Sequence, residues 1–329
     1  MSRRAIGAVT LTSTIIVLWF VYTTRIGLPK KPNVGKRPPA PADVTYGESA
    51  YVNEGGARLP DAIIIGSKKA GTRALLAWLN VHPNVTCYTK EAHFFDRDDA
   101  FARGIDYYRN LMPSVNSSQW ILEKTPSYLV TPSVPNRIAQ TMPARTKFIA
   151  IFREPVARAI SDFTQTIDKT PKIVKTSKPS DVFRSRVLKR CPRDGSCVNP
   201  RASLVAIGEY SRHLRTWLHM FARNRFLFLD AKKFMQDPVG AMRKVEAFLN
   251  LPAYYNPSRF YFNKEKGFYC RDPSQPGYTG HGDGCLGSNK GREHVTIDDK
   301  TTKLLQAHFQ PYNKELEVLT GVKFSWEYD

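Results

Sequence analysis

Short, nearly unbroken apolar runs recur along this chain, at residues 61–66, 120–123, 146–152 and 226–229. Each predicts a strand, and a weaker run predicts another over 85–89. Between them apolar positions fall at helical spacing, which predicts helices over 72–81, 107–112, 133–141, 155–165, 208–221 and 238–249. Pro155 stands where a first helical turn tolerates proline. Strands alternating with helices predict an α/β fold, a mostly parallel, doubly wound sheet. Residues 169–203 are basic, polar and poorly periodic and read as a long insertion. No internal repeat is present.

The first strand leads into Gly66-Ser-Lys-Lys-Ala-Gly71-Thr72-Arg73 and then the apolar run Ala74-Leu-Leu-Ala-Trp78. A strand, a glycine-bounded turn and a helix start make a phosphate cradle, because amide N–H groups and the helix dipole favour an anion there. Gly66 and Gly71 have the spacing of a nucleotide-triphosphatase loop, but the lysine expected after the second glycine is missing. The cations Lys68 and Lys69 lie inside the loop instead, which points away from ATP hydrolysis and toward another phosphate-bearing donor.

In a doubly wound sheet ligands bind beyond the carboxyl ends of the strands. Charged residues cluster at four such ends: Lys68–Arg73, Glu91–Asp96, Lys124 and Arg153. In Arg153-Glu-Pro155-Val-Ala-Arg158-Ala-Ile-Ser161 a guanidinium and a hydroxyl suit a terminal phosphate monoester. Two phosphate sites on one rim imply a nucleoside phosphorylated at both ends. There is neither a Walker-type aspartate nor a His/Cys ligand cluster, so no catalytic metal is expected.

Composition places this chemistry in a compartment. Net charge is +20, and eight Lys/Arg against three Asp/Glu in residues 1–60 leave about +15 for the remainder. A domain so basic meets a polyanion: nucleic acid, anionic lipid or acidic polysaccharide. Spaced aromatics of an RNA-binding motif are absent, which excludes nucleic acid from the leading reading. Residues 5–22 carry no charge and follow Arg3 and Arg4, so residues 1–4 read as a cytoplasmic tail and 5–22 as a signal anchor. Residues 23–59, rich in Pro, Gly, Lys and Ala from 29 onward, read as a stem, and 60–329 as a luminal domain. Sequons at Asn84 and Asn116 agree with a lumen. Asn84 lies close to the acidic loop, which argues against its use. Of five cysteines, Cys270 and Cys285 flank a Gly/Pro/Asp loop suited to a bridge; Cys191 and Cys197 suit a smaller one, leaving Cys87 over.

Taken in order, the glycine loop, the acidic loop Lys90-Glu-Ala-His-Phe-Phe-Asp96, Glu123-Lys-Thr-Pro-Ser-Tyr128 and the Arg153-Glu-Pro155 strand end resemble the heparan sulfate glucosamine 3-O-sulfotransferases. The resemblance runs from about residue 60 to 326 and includes Phe260-Tyr-Phe-Asn-Lys264, Lys266-Gly-Phe268 and Lys290-Gly-Arg292. It implies transfer of a sulfuryl group from 3′-phosphoadenosine 5′-phosphosulfate (PAPS) to a glucosamine 3-hydroxyl of heparan sulfate, by a type II protein of the Golgi membrane. It also implies that Lys69, Ala70, Gly71, Thr72 and Arg73 hold the 5′-phosphosulfate. Arg153 and Ser161 then hold the 3′-phosphate, and Lys290, Gly291, Arg292, Glu293 and His294 close over the nucleotide. Glu91 becomes the general base, with His93, Asp96 and Lys124 about it. Lys68, Arg73, Lys90, Ala92, Phe94, Phe95, Thr125, Pro126, Ser127, Gln165 and Lys169 complete the acceptor site. Ala70 departs from the family's usual glycine, which tightens the loop if that position needs a positive φ. Residues 170–203 depart most.

Other readings remain: sulfation at a different sugar position, a polyanion-binding module without turnover, and a P-loop kinase, which the displaced lysine disfavours. Phe260, Tyr261 and Phe262 read as core rather than substrate platform.

Overall fold

Central strands that must be apolar on both faces explain the unbroken runs: a computed structural model of the protein buries all five residues of the first strand. It describes residues 57–191, 195–276, 278, 282–285 and 293–326. The strands are β1 (Ala62–Gly66), β2 (Val85–Cys87), β3 (Trp120–Lys124), β4 (Lys147–Phe152), β5 (Leu188–Cys191), β6 (Gly195–Val198), β7 (Phe226–Asp230), β8 (Phe260–Asn263) and β9 (Phe268–Arg271). The helices are α1 (Thr72–Leu79), α2 (Asp98–Phe101), α3 (Ile105–Asn110), α4 (Val134–Thr141), α5 (Pro155–Lys169) and α6 (Pro179–Val187). They continue with α7 (Ser203–Ala206), α8 (Tyr210–Met220), α9 (Ala231–Gln236), α10 (Pro238–Leu249) and α11 (Asp299–Thr320).

The main sheet has the order β2-β3-β1-β4-β7, and every neighbouring pair in it is parallel. Successive side chains divide between two apolar layers. Ile63, Ile65, Phe148, Ala150 and Phe152 face the layer of α4, α8 and the end of α11, where Ile138, Leu214, Trp217 and Leu316 pack. Ala62, Ile64, Ile149 and Ile151 face α1, α9 and α10 through Leu75, Leu79, Phe234, Met242 and Val245. A third cluster, of Val156, Phe163, Phe183, Val205 and Phe309, joins α5, α6, α7 and α11 beside the sheet. The α/β class and parallel sheet thus follow the sequence pattern.

Several elements differ from that pattern. The stretch 169–203 is structured: a 3-10 turn at Pro171–Val174, α6, the β5–β6 hairpin and α7. Its anchors Phe183 and Val187 are wholly buried, but too few apolar residues stand among the lysines and arginines to register a period. Both cysteine pairs, Cys191–Cys197 and Cys270–Cys285, are bridged, and Cys87 is free and buried. The β8–β9 hairpin and the long α11, with Pro311 inside it, carry no prediction above. Phe260 is core as expected, but Phe262 is exposed. Among the described residues no helix is long and apolar enough to cross a membrane; the expected tail, anchor and stem lie outside them up to residue 56.

Gly66 ends β1 under tight contact, since a Cβ there would lie 2.7 Å from Leu129 Cβ. Gly66→Ala is therefore expected to cost about 1–3 kcal/mol of stability through overpacking. Urea unfolding checks this, and a variant as stable as the wild type contradicts the packing described.

Candidate active site

The parallel sheet puts four strand ends on one rim in the order β2, β3, β1, β4. Neighbouring strands lie about 4.8 Å apart, so the turns after β3, β1 and β4 are close neighbours.

The turn after β1 is tied to β4: Ser67 donates to the Ile151 carbonyl through its backbone N–H (2.8 Å) and its hydroxyl (3.1 Å). The chain then reverses with Lys69 at φ 72° and Gly71 at φ 102°. Ala70 is not in the left-handed region, and its buried methyl joins the apolar layer under α1. The departure from glycine is therefore accommodated, because the positive-φ positions fall on either side of it. Gly71 caps α1 without any side-chain hydrogen bond, and no acidic residue stands in the first turn. The N–H groups that open an α-helix lack intrahelical partners, which leaves this end suited to an anion.

Cations surround that helix end. Lys69 Nζ donates to Gln165 Oε1 on α5 (3.3 Å), and Arg153 Nη1 donates to the Lys69 carbonyl (3.4 Å). Burial pushes the Arg153 pKa down from its ordinary value, with Tyr210 and Glu154 opposing that shift. Ser161 is buried on α5. Lys68 is half exposed and paired with Asp162 (2.8 Å), which also accepts from the fully buried Arg158 (3.2 Å). Arg73 and Lys169 are exposed. Glu293 and His294 are exposed where the chain approaches α5, Val295 N–H donating to Thr164 Oγ1 (3.4 Å). Lys290, Gly291 and Arg292 lie outside the described residues.

On the β2–β3 side, Glu91, His93, Asp96, Lys124 and Ser127 form one cluster. Lys124, nearly buried at the end of β3, donates to Glu91 Oε1. His93 Nε2 lies 3.2 Å from Glu91 Oε2, and His93 Nδ1 lies 2.8 Å from Asp96 Oδ2. Ser127 donates to that same Asp96 oxygen (2.5 Å). The Glu91 side chain remains 40% exposed, so its carboxylate keeps lone pairs open to a hydroxyl. Lys90 is exposed beside it, and Ala92 is half-buried.

Four residues expected to contact the acceptor are buried. Phe94 and Phe95 are fully buried, stacked or edge-on against Tyr108, because two adjacent aromatics here close the apolar layer instead of lining a cleft. Thr125 and Pro126 are also buried, and the Thr125 hydroxyl serves the acidic loop from beneath. Asn84 precedes β2, at the amino ends of the strands, where its carbonyl accepts from Trp120 N–H (2.8 Å). It therefore lies across the sheet from the acidic loop, contrary to expectation. Asn116 is exposed in the turn before β3.

Sequence reasoning missed three supports of the site. Tyr210 donates to the Arg153 carbonyl (2.9 Å) and stands 3.4 Å from the Ser67 hydroxyl, joining the two cationic turns. Glu154 caps α5, accepting from the Val156 and Ala157 N–H groups at 2.8 and 2.6 Å. An acid directly before a helix-opening proline was the available signal for it. Glu123 is the third.

Comparisons with known proteins bear on the family and the fold. The sulfotransferase-domain family matches residues 59–315. Heparan sulfate glucosamine 3-O-sulfotransferase 3B1 of Mus musculus is 40% identical over 88% of this chain and 70% of its own length. Heparan sulfate glucosamine 3-O-sulfotransferase 3A1 of Mus musculus is 41% identical over 84% of this chain and 66% of its own length. The crystal structure of a sulfotransferase from Alicyclobacillus acidocaldarius superposes with a TM-score of 0.58 at 22% identity, covering 81% of this chain and 98% of that one. That last likeness concerns the fold alone.

Glu123 is wholly buried next to Lys124, and burial pushes its pKa up to about 7 against weaker lowering by Thr125, the Ala92 amide, Lys124 and Tyr128. A raised carboxyl pKa means the folded protein binds more protons than the unfolded chain between about 4.5 and 7. Its contribution to stability therefore declines as pH rises through that window and is level above it. Glu123→Gln removes the titration, so the variant is expected to gain on the wild type by roughly 3 kcal/mol between pH 4.5 and 7.5. Thermal unfolding of both proteins across that range checks this, and a constant gap refutes it.

Proposed function

The chain belongs to the heparan sulfate glucosamine 3-O-sulfotransferases, and on that premise we propose that it moves a sulfuryl group from PAPS to the 3-hydroxyl of a glucosamine in heparan sulfate, with Glu91 as general base. The observation that carries this reading is Glu91 held between Lys124 and His93 beside an uncapped, lysine-flanked helix end on the same rim.

The residues present fit the donor. The opening N–H groups of α1, with Lys69, suit the 5′-phosphosulfate. Arg153 and Ser161 suit a 3′-phosphate monoester, the guanidinium offering a fork and the serine a hydroxyl. The segment carrying Glu293 and His294 runs beside α5 and supports a cover over the same pocket. When bound, PAPS supplies an electrophilic sulfur and a phosphate leaving group.

A sugar hydroxyl is a weak nucleophile until a base takes its proton during attack. Glu91 can accept that proton because Lys124 and His93 occupy one side of each oxygen and fix the carboxylate's plane. Asp96 and Ser127 fix His93 in turn. Transfer of such a group is mostly positioning and neutralisation of charge, which Lys69 and the helix end provide. Lys68, Arg73, Lys90 and Lys169, with Gln165, offer contacts for the sulfates and carboxylates of the polymer, and the domain charge of about +15 favours a polyanion. The anchor-like run at 5–22, two disulfides and an exposed sequon at Asn116 support a membrane-tethered protein facing the Golgi lumen.

Composition analysis of heparan sulfate after incubation with the full-length chain and PAPS tests the proposal: new 3-O-sulfoglucosamine is expected. Sulfate confined to N- or 6-O-positions refutes the position, and the absence of any transfer refutes the enzyme. Glu91→Gln is expected to lower kcat roughly 10²- to 10⁴-fold while polymer affinity persists. Turnover close to wild type removes Glu91 as the base.

A further inference from the structure

Glu123, next to Lys124 at the end of β3, is the acidic residue of that strand: it is fully buried, and among the described residues its Oε2 has no hydrogen-bond partner. A buried carboxyl is costly unless it does something an apolar residue cannot. Its other oxygen, Oε1, accepts the Thr125 hydroxyl proton. With that proton directed inward, Thr125 Oγ1 presents its lone pairs outward, and it accepts the N–H groups of Ala92 (3.1 Å) and His93 (3.4 Å). Three residues further on, the Tyr128 hydroxyl accepts the N–H groups of Phe94 (3.1 Å) and Phe95 (3.4 Å). Four successive amides of the acidic loop are thus held from beneath by two hydroxyls of the segment 123–128.

The loop needs such a hold. His93 has φ 47°, in the left-handed region that a residue with a Cβ enters only when its surroundings impose it. That turn is what carries the His93 ring between Glu91 and Asp96. Without an inward acceptor the Thr125 hydroxyl is free to rotate, and its proton then opposes the two amide donors.

We propose that Glu123 is a positioning residue for sulfuryl transfer: by accepting the Thr125 hydroxyl it makes Thr125 the clamp that sets the Ala92–His93 turn, and through it the aim of Glu91. What the clamp requires is an acceptor oxygen rather than a charge. An amide oxygen at 123 therefore serves, whereas an apolar side chain of similar length does not. This inference rests on the sulfotransferase reading above, but the clamp itself has a readout that needs no turnover.

The experiment compares full-length wild type with Glu123→Gln, Glu123→Met, Thr125→Val and the Met/Val double variant. Amide hydrogen exchange is read at Ala92 and His93, and kinetics are read with PAPS and heparan sulfate. Faster exchange at those two amides is expected in Glu123→Met and Thr125→Val but not in Glu123→Gln. Both are expected to lose kcat by roughly 10- to 100-fold, as misplacement of a base does, with KM for PAPS unchanged. Glu123→Gln should stay within about threefold of wild type, and the double variant should be no worse than the worse single one. If Glu123→Met does not fold, Thr125→Val alone carries the test. Unchanged exchange at Ala92 and His93 in Thr125→Val overturns the clamp. Equal damage from Gln and Met at 123, or additive losses, overturns the role of Glu123. Intact exchange effects in a protein without any sulfotransferase activity count instead against the function proposed above.

Discussion

Parallel strand direction is the constraint on which the rest of this structure depends. Because every pair in the five-stranded sheet is parallel, every turn that leaves a strand for a helix emerges on one edge. Groups far apart in sequence, from Lys69 to Glu91, Lys124 and Arg153, come to that edge without any long loop. The amide N–H groups that open α1 emerge there too, so the rim is electropositive before any side chain is counted. The lysines and arginines then add to a field the backbone has already set.

A rim of this kind concentrates charge, and the structure handles the cost by pairing. Buried Arg158 meets Asp162 and the Leu204 carbonyl, Asp162 meets Lys68, and nearly buried Lys124 meets Glu91. Removing one member of such a pair leaves the other uncompensated, which costs more than the pair contributes. The pairs at Glu91 and Lys68 are the more exposed ones, so an incoming anion can exchange places with a protein partner at modest cost.

Much of this was legible in the sequence. The β1 run is apolar on both faces, and the strands at 61–66, 120–123 and 146–152 stand out because an apolar run fills each, with polar residues (Asp61, Glu123, Thr146 and Lys147) confined to the ends. The Gly66–Gly71 turn declared itself through glycine spacing and its two lysines. Less legible were residues whose roles depend on partners distant in sequence. Tyr210 reaches Arg153 across 57 positions, and no local pattern announces such a bond. Phe94 and Phe95 misled because adjacency to Glu91 placed them at the cleft, while packing against Tyr108 turns them inward. Residues 169–203 hid α6 and a bridged hairpin because a few buried anchors are diluted by surface cations. Glu123 looked like one more charge in a polar motif; Lys124 beside it is nearly as buried, and what separates the two is their partners, Glu91 for Lys124 and Thr125 for Glu123.

The central claim is that donor and acceptor meet on this rim, with the leaving phosphate at Lys69 and the sugar oxygen at Glu91. A crystal structure of the protein with 3′-phosphoadenosine 5′-phosphate and a heparan oligosaccharide tests it most directly. The account predicts the 5′-phosphate on the opening N–H groups of α1, the 3′-phosphate at Arg153 and Ser161, and a glucosamine O3 at about 2.6–3.2 Å from a Glu91 oxygen. A nucleotide seated elsewhere, or an O3 facing away from Glu91, contradicts it.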